Sequence, residues 1–205
     1  MNSNNAVPMA MSSYLEALTL TEAMTVLAPF EPRVAGALPL GLAVPTSDID
    51  ILCYAPDPGA FAATLWMWFQ RHPGFLIRQR VGADRAIICS FNAYGWPFEV
   101  FGQAMPVTEQ QGWRHFTVAR RLLELGGDSF RAAVVASRHT GEKTESAFAI
   151  VLKLRGDPYQ ALLDLEPQSD GELIERLNLA GFRRISAPPH HSDIAVRQSH
   201  ASEDA

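Results

Sequence analysis

Two aspartates separated by one apolar residue, in Ser47-Asp48-Ile49-Asp50-Ile51, have a spacing that bears directly on chemistry. Successive side chains of an extended strand alternate faces, so Asp48 and Asp50 share one face while Ile49 and Ile51 take the other. Neighbouring carboxylates with no cation between them oppose each other's ionisation and cost stability. A divalent cation is the usual remedy, because hard cations take oxygen ligands. Upstream, Gly36-Ala37-Leu38-Pro39-Leu40-Gly41 reads as a glycine-punctuated loop, and a glycine at Gly36 lets backbone N–H groups come close to an anionic ligand. Further along, Glu99 is the only acid in the apolar, aromatic-rich run Pro97-Phe98-Glu99-Val100-Phe101-Gly102.

In order and spacing these residues resemble the nucleotidyltransferase superfamily typified by DNA polymerase beta, whose signature runs Gly-Ser, a spacer, then Asp-apolar-Asp. The pieces PLGL, SDIDIL, FEVFGQ, RHFTVARRLL, GEKTESAFA and LRGDPYQALLDLE are similar to a bacterial family of nucleotidyltransferase-like proteins, domain-of-unknown-function family 4269, over residues 13–167. The resemblance implies an α+β fold: a nucleotidyltransferase-like mixed β-sheet with packed helices, followed by a helical C-terminal half. It implies Asp48, Asp50 and Glu99 as the catalytic and metal-holding triad, with Mg²⁺ or Mn²⁺ as cofactor. Gly36, Ala37, Gly41 and Ser47 take the nucleotide-binding positions. The implied activity is metal-dependent transfer of a nucleoside monophosphate from a nucleoside triphosphate to a hydroxyl of a small molecule or protein. Glu99 would hold the metal that activates that hydroxyl, or take its proton.

Two departures from the signature stand out. Ala37 occupies the place of the phosphate-touching serine, and Leu38, Leu40, Leu42 and Val44 replace the cations common in the spacer. Cations for a triphosphate must then come from elsewhere. Arg114, His115 and Lys143 are the candidates, with Glu145 beside Lys143 in the GEKTESAFA segment. The alternative is a catalytically silent protein on the same fold, an antitoxin-like binding or regulatory module. Several of these residues also have plain structural readings. Ser47 can cap a turn, a lone histidine such as His115 is commonly a satisfied core residue, and Thr144 and Asp157 suit helix caps.

Elements must bring these residues together. Ser12 or Ser13 caps a helix over 14–27 whose Leu15, Leu18, Leu20, Met24 and Leu27 form an apolar face. Strands are expected over 33–38 and 48–54, then a helix from Asp57-Pro58-Gly59 to residue 70 that packs Phe61, Leu65, Trp66, Trp68 and Phe69 on the sheet. Strands over 75–81 and 85–91 form a hairpin, and Asn92 and Gly95 turn the chain into the Glu99 strand. Helices follow over 109–125, 128–139, 143–154, 158–165 and 170–179, broken at Gly126-Gly127, Gly141 and Gly156-Asp157. Strands first and helices second indicate α+β. The expected organisation is a polar start over 1–12, an α/β core over 13–107, a helical region over 108–183 and a tail over 184–205.

Of 205 residues, 47% are apolar and 19% charged, which suits a globular protein with a sizeable core. The formal net charge of -5 argues against long nucleic acid, which is captured by clustered Lys and Arg. A local basic patch is open to Arg114, Arg120, Arg121, Arg131 and Arg138. Cys53 and Cys89 fall in expected strands and read as reduced core thiols of a cytoplasmic protein. The first residues lack the basic and apolar regions of a signal peptide, and no window is long and apolar enough to span a membrane.

Overall fold

A computed structural model describes residues 13–82 and 84–182. The expected polar start, including Ser12, and the expected tail lie outside them. The opening helix, α1 (Tyr14–Leu20), is capped by Ser13, whose Oγ accepts from Glu16 N at 3.2 Å. It stops earlier than expected, because Glu22 adopts a left-handed φ of 53° and starts a separate short turn, α2 (Ala23–Val26). The break also changes the face. Leu18 and Leu27 are buried, whereas Leu15 and Leu20 are exposed.

Five strands form one mixed sheet: β1 (Arg33–Ala35), β2 (Ile49–Tyr54), β3 (Leu76–Gln79), β4 (Ile87–Ala93) and β5 (Trp96–Gln103). Their order is β1-β2-β5-β4-β3, with β2 and β5 parallel and every other neighbour antiparallel. The parallel pair needs a crossover, and α3 (Pro58–Phe69) with the β3–β4 hairpin supplies it. Asp57 caps α3 by accepting from Gly59 N and Ala60 N at 2.9 and 3.0 Å.

Phe61, Leu65 and Phe69, one turn apart, point α3 at the sheet and are almost fully buried. Trp66 and Trp68 do not join them: both are more than half exposed, correcting the expectation that the whole apolar helix packs. The core on this side stacks Phe69 on Phe91 and Phe91 on Phe98 at 4.7 and 4.8 Å, both nearly parallel. The turn between β4 and β5 is Tyr94-Gly95, with φ of 51° and 84°, a two-residue hairpin of the type matched to strand twist. Asn92 is not a turn former. It pairs with Pro97 within the sheet, and its N donates to Pro73 O at 2.7 Å.

The other sheet face meets the helices. A long helix, α4 (Gln111–His139), continues through the expected break, but Gly127 has a φ of 67° and ψ of -164°, so the two halves meet at a kink. Gln110 anchors its start to β2, donating from Nε2 to the carbonyls of Cys53 and Met105 at 2.9 Å each. Helices α5 (Thr144–Val151), α6 (Pro158–Leu163) and α7 (Asp170–Ala180) pack on α4. Asp157 caps α6, as expected, accepting from Gln160 N at 2.9 Å. The residue at the cap position of α5 is Lys143, not Thr144, and its side chain makes no capping bond. Phe116, Leu122, Phe130, Val134, Phe148 and Leu173 are among the buried side chains of this second core. Cys53 and Cys89 are free and buried, and burial pushes both thiols up to about 12. Among the described residues, no helix is long and apolar enough to cross a membrane.

Candidate active site

The parallel register sets the site. Asp50 of β2 lies opposite Glu99 of β5, so the two carboxylates are lateral neighbours on one face. Asp48, two residues earlier and just ahead of β2, borders the same cleft. Above Asp50 passes Gly36, with a φ of 73°; a Cβ built there would stand 1.9 Å from Asp50 Oδ2. Only glycine fits between the backbone and that carboxylate.

Gly36, Ala37, Ser47, Asp48, Asp50 and Glu99 form one wall of a cleft of about 510 Å³. The opposite wall comes from α4, the α4–α5 connection and α6, and includes His115, Phe116, Arg138, Lys143, Glu145 and Tyr159. Two residues expected at the site stand elsewhere. Gly41 turns the loop with a φ of 69°, close to Arg131, whose guanidinium donates to the Leu40 carbonyl. Arg114 points to the α6–α7 segment, where its Nε donates to Glu166 Oε2 at 2.9 Å and its Nη2 pairs with the same oxygen. That pairing holds Glu166 below the usual carboxylate range. Ser47 does cap its turn, accepting from Val44 N at 2.9 Å. His115 is buried with Nε2 2.9 Å from the Tyr159 carbonyl, which can only accept, so Nε2 carries the hydrogen.

Charge is unbalanced in this cleft. The Asp50 carboxyl is pushed up to about 7, first by burial and then by Asp48, Glu99 and Glu145, while Arg138 opposes the shift. A carboxylate so strained by like charges suits a cation, and the donor set offered by Asp48, Asp50 and Glu99 is all oxygen, as a hard divalent ion requires. The three do not form a closed cage. Among the described residues no three His, Cys, Asp or Glu side chains are gathered at metal-holding distances, and Glu99 leans towards Arg78, 3.6 Å away on β3.

Arg138, not Arg114, is the arginine that lines the cleft. Its Nη2 donates to Ser47 Oγ at 3.2 Å and its Nη1 to Thr144 Oγ1 at 3.0 Å, so one guanidinium bridges the loop before β2 and the start of α5. Its Nε is buried without a hydrogen-bond partner. Membership of the arginine-rich stretch 114–138 was the only sequence signal for it.

The sheet order, the parallel β2–β5 pair and the Gly36-covered carboxylates define a nucleotidyltransferase-like fold. A chain of a GLD-2/RNP-8 complex superposes with a TM-score of 0.50 at 13% identity, covering 84% of this chain and 79% of that one. Cid1 poly(U) polymerase with MgGTP bound superposes with a TM-score of 0.51 at 14% identity over 68% of this chain. This chain spans 48% of the Cid1 chain's length. No curated protein matches the sequence. The family model for the domain of unknown function DUF4269 matches residues 16–165, and the chain belongs to that family.

Proposed function

We propose that this protein is a metal-dependent nucleotidyltransferase that moves a nucleoside monophosphate from a nucleoside triphosphate to a hydroxyl of a small molecule or protein. The observation that carries this reading is the seating of Asp50 beneath Gly36 and beside Glu99, at the bottom of a cleft whose far wall supplies Arg138. Asp48, Asp50 and Glu99 would hold Mg²⁺ or Mn²⁺. A divalent ion bound there supplies stabilisation of the charge that grows on the phosphoryl oxygens.

The chain's own residues do the rest. The Gly36-Ala37 backbone lies against the cleft with no side chain large enough to keep a triphosphate away. Arg138 exchanges two bonds to neutral hydroxyls for bonds to phosphate, which are stronger because both partners are charged. Lys143, exposed at the rim, adds a second cation. Glu99, at the open side of the sheet, would activate the attacking hydroxyl, either through the metal it holds or by taking the proton itself, as pyrophosphate leaves. Ala37 is buried in the helical core and offers no hydroxyl, a feature that favours the second reading, a catalytically silent binding module.

Calorimetric titration of Mg²⁺ with each nucleoside triphosphate decides between them. The wild type is compared with an Asp48→Asn/Asp50→Asn double variant. Metal-dependent binding that disappears in the variant supports the enzyme and names the donor. A folded wild type that binds no triphosphate sinks it and leaves the silent module.

A further inference from the structure

The sheet face that bears Asp50 and Glu99 does not end at β5. Register carries it on through Ser90 of β4 to Leu76 of β3, with Arg78 and Arg80 following at the same parity along β3 and its extension. On the β1–β2 side this face is roofed, since α4 packs on β1 and Leu52 joins the helical core. At β3 its side chains are open, while Ile88 of β4 on the same face is covered. Leu76 is 54% exposed, and the side chains of Arg78 and Arg80 are 55% and 52% exposed. The Arg80 guanidinium lies 5.4 Å over the Phe101 ring, and Arg78 reaches to 3.6 Å from Glu99. Two cations and an aromatic ring thus form a shelf that begins at the third carboxylate, outside the cleft that would hold the triphosphate.

We infer that this shelf seats the acceptor, and that the acceptor is a small hydroxyl compound carrying a phosphate group. The inference rests on the proposed function and names the acceptor's chemistry. A phosphate held by Arg78 and Arg80 leaves the compound's hydroxyl beside Glu99, the residue that would activate it. Both arginines already have acidic partners, Glu99 for one and Asp84 for the other. The Arg78–Glu99 contact is long and partly exposed, and such pairs are worth little, so a dianionic phosphate displaces it readily; Arg80 is held to Asp84 by two hydrogen bonds and offers the phosphate its remaining N–H groups. Release of Arg78 also frees Glu99 to turn to a metal. Two arginines match one phosphate, and the net charge of -5 does not favour broad electrostatic capture of a long strand.

The test uses the full chain, isotopically labelled and saturated with Mg²⁺ and a non-hydrolysable triphosphate analogue. Glycerol phosphate, glycerol and an oligothymidylate are titrated separately while the Nε–Hε resonances of Arg78 and Arg80 are followed. Glycerol phosphate is expected to shift both resonances saturably and glycerol to leave them still. An Arg78→Ala/Arg80→Ala variant should bind glycerol phosphate at least about tenfold more weakly and the triphosphate analogue no more weakly than the wild type, because Glu99 released from Arg78 can only add to the metal site. Resonances that stay still while the analogue binds overturn this inference and leave the proposed function intact. Failure of the analogue itself to bind overturns the proposed function and this inference with it. Tighter binding of the oligothymidylate than of glycerol phosphate replaces the small acceptor by a nucleic-acid end.

Discussion

Replacing Asp50 by Asn removes one charge from the cleft and keeps the shape of the side chain. The wild-type carboxyl rises from 3.8 to about 7 on folding, so the folded state binds its proton more tightly than the unfolded state does. For a group raised in this way, the associated stability is fully present below the unfolded value and is lost as pH rises through the folded one. At about 1.4 kcal/mol per tenfold, the interval from 3.8 to about 7 sets a ceiling of about 4 kcal/mol. Water reaching a carboxyl that lines an open cleft brings this to about 2 kcal/mol. Urea unfolding of both proteins at about pH 4.5 and about pH 8.5 measures it, each protein serving as the other's control for the remaining titrating groups. The variant should gain about 2 kcal/mol on the wild type between the two pH values, and saturating Mg²⁺ at the higher pH should restore the wild type but not the variant. Parallel pH profiles would show that Asp50 bears no such burden, and the electrostatic case for a cation would fall with it.

Gly36→Ala places a side chain at a left-handed φ and into Asp50 Oδ2. Stability should fall by about 2 kcal/mol and metal-dependent triphosphate binding should vanish; wild-type melting and binding would contradict the close approach. Arg138→Ala removes the bridge from Ser47 to Thr144 and the one cation that lowers the Asp50 carboxyl. Loss of about 1–2 kcal/mol is expected, together with a pH–stability midpoint displaced upwards, and an unmoved midpoint would place the guanidinium outside the field of Asp50. Both thiols, buried and pushed up to about 12, should react with a disulfide reagent only on global unfolding. Rapid labelling of the native protein would show that one of these strands opens locally.

What was legible in the sequence followed from local rules. Ser13, Asp57 and Asp157 announced helix starts because an oxygen on a short side chain, one bond from Cβ in serine and two in aspartate, can reach the first free N–H groups. The two-residue period of Ile49-Asp50-Ile51 put the acid on the cleft face and both isoleucines in the core. What was not legible depended on neighbours distant in sequence. The helix bearing Phe61 and Trp66 is apolar all round, so composition could not say that only the Phe61, Leu65 and Phe69 stripe meets the sheet. Arg114 and Arg138 are alike in sequence. The kink at Gly127 resets the helical phase between them, so no count of turns from His115 could tell which of the two faces the cleft.

The apolar loop, which departs from the nucleotidyltransferase signature, has a structural counterpart in the helical half. Leu40 and Leu42 are buried in the core formed by α4 and α5, and Ala37 joins them; each leucine contributes about 1.5–3 kcal/mol by leaving water. A serine or arginine in these places would bring a polar group into that core without a partner. The loop is instead welded to α4, and α4 returns two guanidinium groups to it: Arg131 to the Leu40 carbonyl and Arg138 to Ser47. Charge that the loop does not carry itself thus arrives from the surface it packs against. The consequence is a coupling between stability and binding that a loop with its own cations would lack. If the cleft takes a triphosphate as proposed, any substitution that loosens Leu40 or Leu42 from α4 should also move Arg138 relative to Asp50 and weaken that binding.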